Sequence, residues 1–166
     1  MGRFWRTIMR LFFKRPRRRP TKRRRQEPRI ILDHSAPPPA ASAVLRGRCR
    51  VIDGDTIEVQ KLRIRIAGID APELDHPWGQ RSKWALVELC KGQNVTVRLR
   101  PELSYDRVVG ECFLDDGRDL AAELVRSGLA LDWPKFSGGK YRHLEPADAR
   151  RKLWRATARQ RGTLPR

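Results

Sequence analysis

Residues 63–69 read Arg-Ile-Arg-Ile-Ala-Gly-Ile. Strict alternation of a charged and a β-branched side chain has a period of two, which a half-buried strand satisfies and a helix does not. The run closes at Pro72, which cannot donate to a sheet ladder. Similar runs flank it. Cys49 and Val51 lead into Thr56-Ile57-Glu58-Val59-Gln60, with Asp53-Gly54-Asp55 as the turn between them. Further on, Asn94–Leu99 sets Val95, Val97 and Leu99 on one face, and Val108–Leu114 ends at the turn Asp115-Asp116-Gly117. Three segments instead have helical spacing. Trp78–Cys90 carries Trp84, Leu86, Val87 and Leu89 as an apolar stripe before Gly92, and Asp119–Ser127 points Leu120, Leu124 and Val125 inward before Gly128. A basic helix is expected from about Glu145 to Arg161, with Pro146 in its first turn. The order β-β-β-α-β-β-α-α, with five short strands, predicts a mainly β, α+β domain built on a small closed barrel of the OB type.

Charge divides the chain further. Residues 1–30 hold thirteen Lys and Arg against one acid, Glu27, and so carry +12 of the formal +18. Residues 31–166 keep only the remaining +6. Runs such as Arg17-Arg18-Arg19 and Arg23-Arg24-Arg25 repel themselves, so residues 1–30 are expected to be a largely disordered arm attractive to polyanions. Within it Phe4, Trp5, Ile8, Leu11 and Phe12 recur near helical spacing among Arg3, Arg6, Arg10 and Lys14, a pattern for an amphipathic helix over residues 3–14 on an anionic membrane surface. Arg6 and Arg10 break the apolar stretch that a signal peptide needs, and position 6 is Arg where a myristoylation signal has Ser or Thr. The expectation is therefore an intracellular protein, cytoplasmic or held at a membrane surface, rather than a secreted one. Residues 31–44, with Pro37-Pro38-Pro39, read as a Pro/Ala-rich linker, and residues 45–166 as the folded domain. Cys49, Cys90 and Cys112 are an odd set without metal-site spacing, so free thiols are expected.

The strand ends carry the chemistry. Asp55 and Asp70 stand at the ends of neighbouring predicted strands, and paired carboxylates are hard oxygen ligands suited to Ca²⁺ or Mg²⁺. Arg65 lies five residues before Asp70, an odd spacing that sets the two on opposite faces of an ideal strand. They can meet only if the chain bends near Gly68. Taken singly, Asp53-Gly54-Asp55 is an ordinary hairpin turn, Arg65 a solvated strand residue and Glu73 a helix-start acid. Together they are the parts of a metal-assisted phosphodiester hydrolysis, with cations to meet the charge of the transition state.

The segments Val51-Ile52-Asp53-Gly54-Asp55-Thr56, Arg65-Ile66-Ala67-Gly68-Ile69-Asp70-Ala71-Pro72-Glu73 and Tyr105-Asp106-Arg107 resemble the three signature segments of the staphylococcal nuclease (thermonuclease) family. The likeness runs from about Gly47 to Gly162 and includes Glu123-Leu124-Val125-Arg126-Ser127-Gly128-Leu129-Ala130. It implies a five-stranded OB-type barrel with three helices. It also implies a Ca²⁺-dependent nuclease acting on DNA and RNA, endonucleolytic, leaving 3′-phosphate ends and working as a monomer. In the same terms, Asp55, Asp70 and the backbone carbonyl of Ala71 would hold Ca²⁺, Glu73 would orient or activate water, and Arg65 and Arg107 would clamp the phosphate.

Three departures from the family pattern matter. Asp106 replaces a glycine beside Arg107. The substrate-stacking tyrosines after the second helix are missing, leaving Tyr105, Trp133, Phe136 and Tyr141 as the candidate substrate-binding aromatics. The chain continues past Gly162 with Thr163-Leu164 where relatives carry an aromatic. The alternative is a catalytically silent nucleic-acid-binding or interaction module on the same barrel. A third reading, an interaction module acting through the basic amphipathic N-terminus, leaves the acidic and basic cluster idle. His76, in the cluster Glu73, Asp75, His76, is expected to belong to a loop rather than to a transition-metal site.

Overall fold

The structure is a computed structural model that describes residues 43–104 and 107–163. The expected arm with its helix over residues 3–14, the linker up to residue 42, Tyr105 and Asp106 lie outside the described residues. The five expected runs become strands, the third of them broken after Ile66, and residues 44–47 and 131–132 add strands that were not expected. The strands are β1 (Val44–Gly47), β2 (Cys49–Val51), β3 (Thr56–Val59), β4 (Leu62–Ile66), β5 (Ile69–Asp70), β6 (Val95–Ser104), β7 (Arg107–Leu114) and β8 (Leu131–Asp132). Six of them form one sheet in the order β1-β6-β7-β4-β3-β2. Its two end strands, β1 and β2, are separated in the chain by Arg48 alone. One nearly continuous run thus pairs with β6 through its first half and with β3 through its second, and the sheet curls into a barrel.

The period of two decides which side chains fill the barrel. Ile64 and Ile66 of β4 point inward while Arg63 and Arg65 do not, and β7 buries every second residue from Val108 to Leu114. With Ile57, Val59, Val95 and Val97 they form the core. Strands β4 and β7 run parallel, pairing Arg65 with Val109, which brings the C-terminal end of β4 beside the start of β7. Strand β6 extends beyond Leu99, where the pattern was expected to stop. Its register shifts between Leu99 and Leu103, so that Pro101 falls in an irregularity of the kind that tolerates proline.

The helices are α1 (Gly79–Cys90), α2 (Leu120–Arg126), α3 (Pro134–Ser137), α4 (Ala149–Lys152) and α5 (Trp154–Arg161). In α1 the buried stripe is Gly79, Ser82, Leu86 and Cys90. Trp84 lies halfway round from Ser82 and Leu86 and is 60% exposed, so the expected stripe through Trp84 is corrected to one of mostly small residues that lets the helix sit close to the barrel. Asp119 caps α2, accepting a hydrogen bond from the Ala121 amide at 2.9 Å, and Leu120, Leu124 and Val125 are fully buried as expected. The single helix expected over residues 145–161 is instead a 3-10 turn (Arg142–Leu144) followed by α4 and α5. Leu153 breaks the run with ψ 49°. Its side chain is fully buried with Leu131, Ala149 and Ala156, and the Thr157 hydroxyl donates to the Arg150 carbonyl at 2.8 Å across the break. Burial of Leu153 thus overrides helical propensity and aims α5 toward the end of β5. The three cysteines are free.

Candidate catalytic site

Asp55 lies at the foot of β3. Its own amide donates to the Asp53 carboxylate at 3.0 Å, which closes the turn, and its carbonyl accepts from the Ile66 amide at 2.9 Å, which ties the turn to the end of β4. Gly54 is required between them, because a β-carbon there would stand 2.8 Å from the Ala71 β-carbon and 2.3 Å from the Ser82 hydroxyl. One strand over, Arg65 reaches back along the ladder to Asp55, with Nη1 donating to Oδ1 at 3.0 Å and Nη2 2.9 Å from Oδ2. That two-pronged geometry belongs to arginine alone.

The bend that the spacing of Arg65 and Asp70 demanded is present. Strand β4 stops at Ile66, Gly68 takes φ +78° and β5 begins at Ile69. A side chain at Gly68 would also meet the Ser137 β-carbon at 3.0 Å. The turn brings Asp70 Oδ1 to 3.7 Å from Arg65 Nη2. Asp55 and Asp70 are both buried, and the Ala71 amide lies 3.4 Å from Asp55 Oδ2. Burial is the main cause that pushes the Asp55 carboxyl up to about 6, with Arg65 acting against it and the charges of Asp53 and Asp70 adding to it. Asp70 is raised for the same first reason, opposed by Arg159 and Arg65.

Arg159, which the reading of the motifs did not identify, completes the cluster from α5. Its Nη2 donates to Asp70 Oδ1 at 2.7 Å and to the Ala71 carbonyl at 3.0 Å, its Nε to Asp70 Oδ2 at 3.2 Å, and its Nη1 to Glu73 Oε1 at 2.5 Å. Arg155, one turn earlier on the same helix face, pairs with Asp75 at 2.9 Å. The four-residue spacing of these arginines was visible. What the sequence could not convey is that the Leu153 break docks α5 against residues 70–75.

Arg107, at the start of β7, donates to the Thr56 hydroxyl at 2.9 Å, and that hydroxyl donates to Asp55 Oδ1 at 3.0 Å. It therefore stands one side chain removed from the carboxylate, with Thr56 as the link. Trp133 sits against Arg65, its ring centre 6.0 Å from the guanidinium carbon, and its amide donates to the Gly68 carbonyl at 2.9 Å. Phe136, 45% exposed, meets Trp133 edge-on at 4.8 Å. Tyr141 is not brought to this surface. It is buried in the core, its hydroxyl donates to Asp119 at 2.9 Å, and no face is left for a base to stack on. The expectation for Tyr141 is corrected accordingly. His76 is buried beside Trp154 and its Nδ1 accepts from the Trp78 amide at 3.2 Å, so it is a loop-fixing residue.

The donors fit a hard divalent cation in kind, being the two carboxylates of Asp55 and Asp70 and the main-chain carbonyl of Ala71. Among the described residues no three His, Cys, Asp or Glu side chains converge as a metal cage. The guanidinium of Arg159 lies on Asp70, the Ala71 carbonyl and Glu73, a resident cation showing that this side of the cluster attracts positive charge.

The chain spans 65% of a 36%-identical relative named as an uncharacterized endonuclease from Escherichia coli, just under two thirds, through 57% of its own length. It is also 36% identical to a probable endonuclease from Leptosphaeria maculans, over 60% of this chain and 37% of the relative. To a probable staphylococcal-like nuclease from Oryza sativa subsp. japonica it is 32% identical, over 50% of this chain and 25% of the relative. The profile of the family described as Staphylococcal nuclease homologue matches residues 63–156, more than half of the chain, and within that span lie Arg65, Asp70, Glu73 and Arg107. With a barrel carrying Arg65, Asp70 and Arg107 at its strand ends and Glu73 in the loop that follows, the chain belongs to the family of staphylococcal nuclease homologues.

Proposed function

We propose that this protein is a metal-dependent nuclease that hydrolyses phosphodiester bonds of DNA and RNA, with Ca²⁺ as its cation, cutting within the strand and leaving 3′-phosphate ends. The observation that carries this reading is the convergence of Asp55 and Asp70 on Arg65, with the Ala71 amide at Asp55 and the Ala71 carbonyl sharing an Arg159 nitrogen with Asp70. Endonuclease-named relatives support the reaction class. When bound, the cation supplies polarisation of the phosphate and a lowered barrier for attack by water. Asp55, Asp70 and the Ala71 carbonyl hold it. Glu73, its side chain 65% exposed at the mouth of the cluster, orients the attacking water. Arg65 donates to the phosphate oxygens as negative charge builds on them, and Arg107 supplements it from the β7 side. Trp133 and Phe136 offer aromatic faces for the bases flanking the scissile bond.

The test is cleavage of single-stranded DNA and RNA by the full chain in Ca²⁺, in EDTA, and with Asp55→Ala. Cleavage that needs Ca²⁺ and Asp55 is expected, with 3′-phosphate ends. Tight binding without cleavage at any Ca²⁺ concentration would instead establish a silent nucleic-acid-binding module.

A further inference from the structure

Three of the four groups assigned above to metal and water are already engaged by one side chain. The Arg159 guanidinium bonds both Asp70 oxygens, the Ala71 carbonyl and Glu73. A single nitrogen, Nη2, bridges Asp70 Oδ1 and the Ala71 carbonyl, so its hydrogens fill the notch between the two oxygens that a shared cation would need. Positive charge at that notch and a divalent ion on the same oxygens repel each other strongly in a half-buried setting. Arg159 also lies beyond residues 63–156, outside the span matched to the family. It sits in the last turn of α5, three residues before the Gly162 terminator, and helix ends open at lower cost than the core they flank.

We propose that Arg159 is the resident counter-cation of the metal site, and that divalent-ion loading requires Arg159 to leave Asp70, the Ala71 carbonyl and Glu73, which frees the C-terminal end of α5. The proposal rests on the metal reading of Asp55, Asp70 and Ala71 given above. The physical reason for such a device lies in Asp70, whose carboxylate has no solvent exposure and, without Arg159, would have only Arg65 at 3.7 Å to offset its charge in the metal-free protein. Arg159 neutralises it there, and metal affinity is reduced by the population of the arginine-bound state. Arg65 does not share this part, because its two terminal nitrogens rest on Asp55 and it approaches Asp70 only to 3.7 Å.

Calcium chloride titrated by calorimetry into metal-stripped full chain, as wild type and as Arg159→Gln, separates the alternatives. Removing the competitor is expected to tighten Ca²⁺ binding about tenfold, with Arg159→Lys in between because it keeps the charge without the fork. Equal or weaker affinity in folded Arg159→Gln overturns the counter-cation role while leaving the metal reading intact. Absence of Ca²⁺ binding to either protein overturns both. Wild-type protein gives a readout that needs no variant. Amide hydrogen exchange over residues 158–163 is expected to quicken on Ca²⁺ addition, and unchanged or slower exchange there overturns the proposal even if Arg159→Gln does not fold.

Discussion

Arg65 grips both carboxylate oxygens of Asp55 across the β3–β4 ladder, at 3.0 and 2.9 Å, while the same Nη2 stands 3.7 Å from Asp70. One guanidinium is therefore shared by two buried acids. Replacing Arg65 with Ala removes a transition-state donor and is expected to lower the cleavage rate by about 10²–10³. Arg65→Lys keeps the charge but not the fork and should recover only part of that loss. Single-turnover cleavage, alongside circular dichroism to verify folding, checks both. A folded Arg65→Ala protein cutting at the wild-type rate would remove Arg65 from the mechanism.

Gly79 opens α1 directly beneath the loop that carries Glu73. A β-carbon there would stand 1.9 Å from the Glu73 carbonyl oxygen and 2.8 Å from the Leu74 α-carbon, both backbone atoms that cannot rotate away. Gly79→Ala is expected to destabilise the fold by about 1–3 kcal/mol and to slow cleavage by displacing Glu73. Gly92→Ala is the comparison, since its β-carbon would meet nothing within 4 Å and only its φ of +76° opposes the change. It should cost about 1 kcal/mol and leave cleavage untouched. Urea unfolding of both variants measures the first effect, and equal losses at the two sites would discount the contact with Glu73.

The barrel was legible because its strands obey a period of two, and the Arg-Ile-Arg-Ile run both predicted β4 and required the bend that Gly68 makes with φ +78°. Asp55, Arg65 and Asp70 converge because ladder and turn geometry, which are local, bring them there. Arg159 was not legible, because its place depends on the break at Leu153, and that break follows from burial against Leu131, a residue more than twenty positions away in the chain. Tyr141 was misread for a related reason. An aromatic after the second helix looks the same whether its ring faces a groove or, as here, packs against Gly68 with its hydroxyl on Asp119. Trp84 shows the converse, an aromatic at near-helical spacing that the small-residue stripe of α1 turns to solvent.

Tyr141 and Trp133 should separate stability from substrate binding. Burial is the leading cause that pushes the Tyr141 phenol up to about 12. The folded protein then holds this proton more tightly than the unfolded chain, whose tyrosine titrates near 10. The contribution of Tyr141 is thus fully present below pH 10 and is lost as pH rises toward 12. Absorbance titration of tyrosinate should show a step near 12 that Tyr141→Phe abolishes. The same substitution is expected to reduce stability, because the Asp119 carboxylate loses a donor, while leaving affinity for DNA unchanged. Trp133→Ala, beside Arg65, is expected to weaken single-stranded DNA binding by about 1–3 kcal/mol. Weakened binding in Tyr141→Phe and none in Trp133→Ala would reverse the assignment of the aromatics.

Residues 1–30 carry +12 of the net +18, and all the described elements lie beyond them. If this segment binds the phosphate backbone, each contact releases condensed counterions, and log affinity falls with log salt by about 0.7 per phosphate neutralised on a single strand. Deleting residues 1–30 is therefore expected to flatten the salt dependence of DNA affinity, while single-turnover cleavage at saturating DNA stays near the full-length rate because Asp55, Arg65, Asp70 and Glu73 remain. Fluorescence anisotropy with one oligonucleotide across a salt series measures both slopes. Equal slopes would assign the arm elsewhere, and sedimentation with vesicles containing anionic lipid then asks whether Phe4, Trp5, Ile8, Leu11 and Phe12 place it on a membrane surface instead.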